Sequence, residues 1–285
     1  MDRLHSVADL RQWRAALSLP QSLGFVPTMG ALHDGHGSLF ERAAKECEVV
    51  FASIFVNPLQ FNEGKDFERY PRTLEEDCEF LESKGVAAVY LPDHQDMYGD
   101  GFDTEVTPGR AGDIWEGRFR PGHFAGMLTV VLKLLQRAQA DAAYFGEKDA
   151  QQLFLVRQMV KDLDLAVKIC GCETVRESDG LAMSSRNAFL TPEQRQHSLV
   201  LFNALQAAFK AWQEGCRIPS ALETAMRKVL GQTPGVAVEY CAVVDDHDFQ
   251  SARQDQAGVW RAIVAARIGE TRLLDNQSLG RSDET

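Results

Sequence analysis

The sequence predicts an α/β protein: a Rossmann-like doubly wound parallel sheet followed by a smaller α+β domain. Three observations carry that expectation. Strand-length apolar runs alternate with amphipathic helical stretches as far as Ile169, the pattern of βαβ units. The run Val49 to Val56 is apolar at nearly every position, as in a strand covered on both faces. Near the end of the chain, three strand-like segments follow one another with no helix between them, which requires antiparallel pairing.

The elements follow in order. Ser6-Val-Ala-Asp9 reads as a capping box opening a helix with Val7, Leu10, Trp13 and Leu17 at helical spacing, ended by Pro20. Leu23 to Val26 reads as the first buried strand. A helix is expected from about His36, with Leu39, Phe40 and Ala43 on its apolar face. After the strand at Val49, Thr73-Leu-Glu-Glu76 reads as a second capping box, for a helix that runs through Leu81 to Lys84 and stops at Gly85. Ala87 to Leu91 is a strand, His123 to Gln136 a helix, and Ala142 to Phe145 a strand. Asp149 opens a further helix, and Leu165 to Ile169 returns as strand.

The pattern changes near Val175, which divides the chain into a Rossmann-like α/β domain, 1–175, and a C-terminal α+β domain, 176–285. Thr191-Pro-Glu-Gln194 is a capping box with Pro at the first helical position, heading a helix to Gln213; another helix follows from Pro219. Val236 to Val244, Gly258 to Ala266 and Thr271 to Leu274 are the final strands. Gly280 to Thr285 reads as a frayed polar tail.

A net charge of -11 argues against a nucleic-acid surface, yet leaves room for a local Lys and Arg cluster that binds a small anion. The six cysteines form no CxxC pair and read as reduced, buried thiols. With no leader pattern and no apolar stretch of roughly 18 residues, the expectation is a cytoplasmic protein with no membrane partner.

The chemistry concentrates at predicted strand ends. Phe25-Val-Pro-Thr-Met-Gly-Ala-Leu-His-Asp-Gly-His36 runs from strand through a Gly-containing turn into a helix start. Such a corner offers unpaired helix N–H groups and a helix dipole to an anion. It lacks GxGxxG spacing, so hydride chemistry is not suggested, and it adds two imidazoles suited to charge developing at phosphorus. His33-x-x-His36 also fits half of a metal pair, but no Glu follows His33 to make a zinc-protease motif. Asn57 and Gln60 lie past the second strand, Lys148 past the fourth, and Ser184-Ser-Arg-Asn187 at the domain boundary. Each alone fits a turn, a surface ion pair or a linker. Their shared position at the carboxyl edge of one sheet, where open sheets bind ligands, favours a site.

Taken together, these segments resemble the pantothenate synthetase family, the AMP-forming pantoate–β-alanine ligases. The resemblance runs from Pro27–His36 through Ser53–Pro58 with Gln60-Phe61, Tyr70–Thr73 with Glu76-Asp77, and Arg120–Phe124. It continues through Phe145–Asp149 with Gln151-Gln152, then Gly180–Asn187 and Arg272–Asn276. The paired signatures also resemble the wider HIGH-motif nucleotidyltransferase superfamily. The resemblance implies attack of pantoate on the ATP α-phosphate, then attack of β-alanine on the pantoyl adenylate, with Mg²⁺ bound through substrate oxygens more than through a protein cage, in a nucleotide- and pantoate-binding domain, 1–175, over whose ATP site the domain 176–285 closes. It implies ATP contacts from Met29, Gly30, Ala31, Leu32, His33, Asp34, Gly35 and His36, with His36 as proton donor and His33 as its companion. Gly146, Glu147, Lys148, Asp149, Val175, Met183, Ser184, Ser185 and Arg186 join them, Lys148 and Arg186 facing the leaving pyrophosphate. Gln60 and Gln152 are implied for pantoate and Gln60 also for β-alanine, in a homodimer. Gly37 stands where the family usually carries a bulkier residue, and a softer first helical turn is expected from it. The rival readings are another adenylyl- or cytidylyl-transferase, a class I aminoacyl-tRNA synthetase, or a non-catalytic nucleotide-binding module.

Overall fold

A computed structural model describes residues 1–17, 21–62, 64–254 and 258–280. Pro20 and the tail residues 281–285 lie outside the described residues. The chain forms two compact units, Met1–Glu147 with Leu155–Glu173, and Lys148–Phe154 with Thr174–Thr285.

The first unit holds a six-stranded parallel sheet of β1 (Asp2–Leu4), β2 (Leu23–Thr28), β3 (Val49–Ile54), β4 (Ala88–Tyr90), β5 (Ala142–Gly146) and β6 (Lys168–Cys172). Their order is β1-β4-β3-β2-β5-β6. The chain therefore winds outward from β2 in one direction through β3 and β4, and in the other through β5 and β6. The winding reverses beside β2, and in such sheets the crevice at the carboxyl ends of the strands at that reversal binds ligands. Val49 to Ala52 and Leu23 to Val26 are buried as a continuous run, because helices cover both faces. Trp13, from the helix Val7–Ala16, stacks on Phe51 at 5.3 Å on one face. Leu39, Phe40, Cys78 and Leu81 pack with Val26 and Ala52 on the other.

Several boundaries differ from the sequence reading, each for a local reason. The last parallel strand is Lys168–Cys172 rather than 165–169, because Leu163 and Leu165 still donate to Met159 and Val160 as the preceding helix closes, with Asp164 at φ 51°. Asp149 ends a 3-10 turn, Glu147–Asp149, and the helix proper is Ala150–Asp162. The helix expected from about His36 begins at Asp34. Thr73 makes no capping bond; its hydroxyl turns to Asp77 instead. The edge strand β1 escaped the sequence reading, being only three residues long.

The second unit packs the helices Pro192–Gln213 and Pro219–Leu230 on an antiparallel sheet, β7 (Val236–Asp245), β8 (Trp260–Ile268) and β9 (Thr271–Ser278), in that order. Thr191 caps the long helix through the expected reciprocal bonds with Gln194. Leu201, Leu205, Leu222, Met226, Val243 and Val264 form its core.

Candidate active site

The loop after β2 turns back on itself through two consecutive positive-φ residues, Gly30 (78°) and Ala31 (52°). Holding alanine there costs about 1–2 kcal/mol. The compensation comes from Asp77, a carboxylate only 3% exposed in the helix Leu74–Ser83. Its oxygens accept the N–H groups of Ala31 at 2.9 Å and Leu32 at 2.7 Å. Thr73 supports the same carboxylate at 3.3 Å. Thr28, at the end of β2, fastens the loop to β3 by donating to the Ser53 carbonyl at 2.8 Å.

His33 leaves this loop as the cap of the helix Asp34–Glu46, with an imidazole where Ser or Asp is usual. Its Nδ1 accepts from the Gly35 N–H at 3.1 Å, and the His36 Nδ1 accepts from the His33 N–H at 3.3 Å. The two rings lie 4.1 Å apart, centroid to centroid. With each Nδ1 spent on the backbone, a neutral ring carries its proton on Nε2, on the far side from the main chain. The sequence reading of this corner relied on unpaired helix N–H groups, and here the structure corrects it. The N–H groups of Gly35, His36 and Gly37 go to His33, and those of Ala31 and Leu32 to Asp77. The same geometry works against a zinc pair: a backbone N–H occupies each Nδ1, and a proton occupies the Nε2 lone pair that a metal would otherwise take.

Gly37 leaves the first turn closed, with His36 and Gly37 both donating to the His33 carbonyl. A Cβ there would sit 3.1 Å from Lys84 Cε and 3.3 Å from Phe80, so glycine lets that neighbouring helix approach. Lys84 then reaches Glu41 at 2.7 Å.

Gln60 is buried just past β3 and is held from four sides. Its Oε1 accepts from Asn57 at 3.0 Å, and its Nε2 lies 2.9 Å from Met29 Sδ, linking the two loops. Its main-chain carbonyl accepts from Arg120 at 3.2 Å and contacts His123 Nδ1 at 2.7 Å. The Arg120 guanidinium, 3.2 Å from His123 Nε2, can only donate, so that nitrogen accepts and Nδ1–H donates to Gln60. Tyr98 fixes Asn57 at 2.7 Å. Gly126 is required because a Cβ would lie 2.1 Å from the Leu59 carbonyl. Met29 to His36 and Gln60 thus belong to one polar edge, beyond the carboxyl ends of β2 and β3; Gly146 and Glu147 stand at the same end of β5.

The remaining residues singled out in the sequence lie in the second unit. Lys148 pairs with Asp149 at 3.8 Å, and its carbonyl is held by Asn276 at 2.8 Å. Gln152 follows in the first turn of the helix Ala150–Asp162, half-buried. Met183 is tied to Val175 by its N–H at 3.0 Å, and Ser184 caps the 3-10 turn Ser185–Phe189 by accepting from Arg186 N–H. Beneath them Arg176 grips Asp275 with both nitrogens at 2.6 and 3.0 Å, and Arg195 bonds Glu177 and Asp179. Asp77, Tyr98, Asn276 and the Arg176–Asp275 pair had no assigned role in the sequence reading. Asp77 had a signal, standing four residues after Thr73 in a motif already singled out.

Comparison with known proteins gives the family. The family model for pantoate-beta-alanine ligase matches residues 2–278. The chain belongs to that family. It is similar to a pantothenate synthetase from Rubrobacter xylanophilus, 48% identical over 94% of both chains, and to one from Chloroflexus aggregans, 47% identical over 97% and 99%. Among solved structures it is similar to the pantothenate synthetase of Thermus thermophilus, with a TM-score of 0.93 at 44% identity over 99% of this chain and 100% of that one. A Francisella tularensis pantoate-beta-alanine ligase, described as complexed with beta-gamma ATP and beta-alanine, superposes with a TM-score of 0.81 at 36% identity over 100% of both. The protein is accordingly a ligase that makes pantothenate from pantoate and β-alanine. Among the described residues no helix is long and apolar enough to cross a membrane.

Proposed function

We propose that this ligase activates pantoate on ATP at the carboxyl edge of β2 and β3, with His33 and His36 as its charge-stabilising pair. A pantoate carboxylate oxygen attacks the α-phosphorus, the bond to the bridging oxygen breaks, and pyrophosphate leaves. The β-alanine amine then attacks the acyl carbonyl, the acyl–phosphate bond breaks, AMP leaves and the amine proton passes to solvent. The observation that carries this reading is the imidazole pair at the winding reversal of the sheet, each ring locked through Nδ1 with Nε2–H as its donor. Such pre-aimed donors stabilise charge as it develops at the phosphate oxygens, and His36 serves as the proton donor.

By the family pattern, Met29 to His36, Gly146 to Asp149, Val175 and Met183 to Arg186 contact ATP. Lys148 and Arg186 supply positive charge to the leaving pyrophosphate. Gln60 and Gln152 hold pantoate and Gln60 also β-alanine; a neutral amide can bond hydroxyl and carboxylate without adding charge beside the reacting group. Mg²⁺ fits as an ion carried by the triphosphate. Among the described residues no three His, Cys, Asp or Glu side chains gather to cage one, and Mg²⁺ prefers phosphate and water oxygens. Bound there, it would screen the charge between β- and γ-phosphates. A cytoplasmic homodimer, as the family pattern has it, completes the proposal.

The test is labelled pyrophosphate exchange into ATP. Exchange is expected with pantoate present and β-alanine absent, and not when pantoate is left out. Stoichiometric ADP, or exchange indifferent to pantoate, overturns the adenylate route; binding of ATP with no turnover would favour a nucleotide-binding module.

A further inference from the structure

We infer that Asp77 is a positioning residue for catalysis: a latch that holds the loop after β2 in its strained turn and so sets the aim of both imidazoles. This rests on the reading that His33 and His36 act on the phosphates.

The loop has two adjacent positive-φ residues, and one of them, Ala31, has no intrinsic reason to be there. Nothing in the sequence of the loop itself would keep it so. The restraint comes from a different helix, through a carboxylate with one oxygen on each of two successive N–H groups. Two such bonds fix both the position and the rotation of the Ala31–Leu32 peptide, and the next residue is His33. Its backbone N–H and carbonyl then fix His36 and the first helical turn. The chain of restraint therefore runs from Asp77 to Leu32 to His33 to His36, without a contact between Asp77 and either imidazole being needed.

Two further observations fit a latch. The space beside Gly30 is closed by Asp77, since a Cβ there would lie 2.8 Å from Oδ2; only glycine admits the carboxylate. The hydroxyl of Thr73, freed from helix capping, orients that same oxygen. The latch also has a chemical consequence. By occupying the Ala31 and Leu32 amides with the protein's own anion, the latch denies those two donors to a phosphate.

The test compares Asp77→Asn with Asp77→Asn/Ala31→Gly in the full-length enzyme. An asparagine can accept from only one of the two N–H groups and turns its own NH₂ toward the other. Pantoate-dependent pyrophosphate exchange is expected to fall about 100-fold, the scale for displacing a catalytic group by about 1 Å. Pantoate affinity by calorimetry should stay within about twofold, because Gln60 is held by other partners. In imidazole nitrogen NMR, the Nε2–H form of His33 and His36 expected in the parent should give way to a tautomer mixture. Ala31→Gly, which adopts positive φ without help, should then restore about tenfold of the lost exchange. Rescue marks a latch; loss without rescue, with the histidine signals unchanged, means that Asp77 acts by touching the reactants and overturns the proposal. Unchanged exchange in Asp77→Asn also overturns it. Should that variant not fold, Thr73→Val carries the same readouts: a severalfold loss of exchange with altered histidine signals is expected, and unchanged signals overturn the latch. His36→Ala separates the two readings. If it exchanges normally the catalytic assignment fails, and if it is inactive while Asp77→Asn is normal only the latch fails.

Discussion

The loop after β2 and the segment carrying Met183 to Arg186 hold their functional residues by opposite means. The first is fixed through its backbone: a buried carboxylate from another helix takes two loop N–H groups, and the histidines bond the main chain of their own turn. The second is fixed at its flanks, through side chains. Arg176 pairs with Asp275 on one side, Arg195 with Glu177 and Asp179 on the other, and Asn187 reaches Glu177 and the Ala182 carbonyl. Between those anchors Ser184, Ser185 and Arg186 are half-exposed, and the cap from Ser184 is long at 3.3 Å. Backbone bonds to a buried anion resist salt and change little with side-chain motion. The Arg195 pairs are partly exposed, so they are screened and cost side-chain entropy, whereas the Arg176–Asp275 pair is buried. The difference suits the proposed chemistry, in which one group needs fixed aim at phosphorus and the other has to admit and release a nucleotide.

The contrast can be broken most sharply at His36. His36→Ala is expected to lower single-turnover adenylate formation by about 10²–10⁴-fold, the usual range for a proton-transferring residue, with an unaltered circular dichroism spectrum. A normal rate would mean that the rigid loop is a scaffold only.

Next comes the deeply buried anchor of the second segment. Asp275 is 4% exposed, and Arg176→Ala leaves its carboxylate without the guanidinium that bonds it twice. A loss of about 3–5 kcal/mol is expected in urea unfolding followed at Trp212 and Trp260, which lie in the second unit. A loss below about 1 kcal/mol would show that this flank too is weakly held.

The smallest effect belongs to Arg195→Ala. Its partners are partly exposed, so about 0.2–1 kcal/mol is expected, fading in high salt. The hydrogen bond from Arg195, ahead of other causes, holds the Asp179 carboxyl below its ordinary range. A depressed carboxyl stabilises the fold above its unfolded pKa and loses that contribution as pH falls through the folded one. The difference between parent and Arg195→Ala should therefore be full at neutral pH and shrink below about pH 4. Persistence of the difference at pH 3 would point to packing of the Arg195 stem instead.

Much of this architecture was legible in the sequence because its causes are local. Capping boxes at Ser6 and Thr191 form as read, since each needs only residues three apart. The buried run at Val49 declares a strand covered on both sides, and the strands after Val236 declare an antiparallel sheet by having no helix between them. The motifs around His33, Gln60, Lys148 and Arg186 declare the family, because their residue types and order leave few alternatives. What the sequence could not decide depended on partners distant along the chain. Thr73 looked like a helix cap and became a support for Asp77, because a buried carboxylate needs every donor it can reach. The corner after β2 looked like an open backbone anion site, and 46 residues further on the chain returns a carboxylate that fills it. Gln60 took its setting from Met29, Arg120 and His123, 31 to 63 residues away. Spacing along the chain can specify which groups a site contains; where each donor is spent is settled only when the sheet brings those strand ends together, since a hydrogen bond is decided by tenths of an ångström in space.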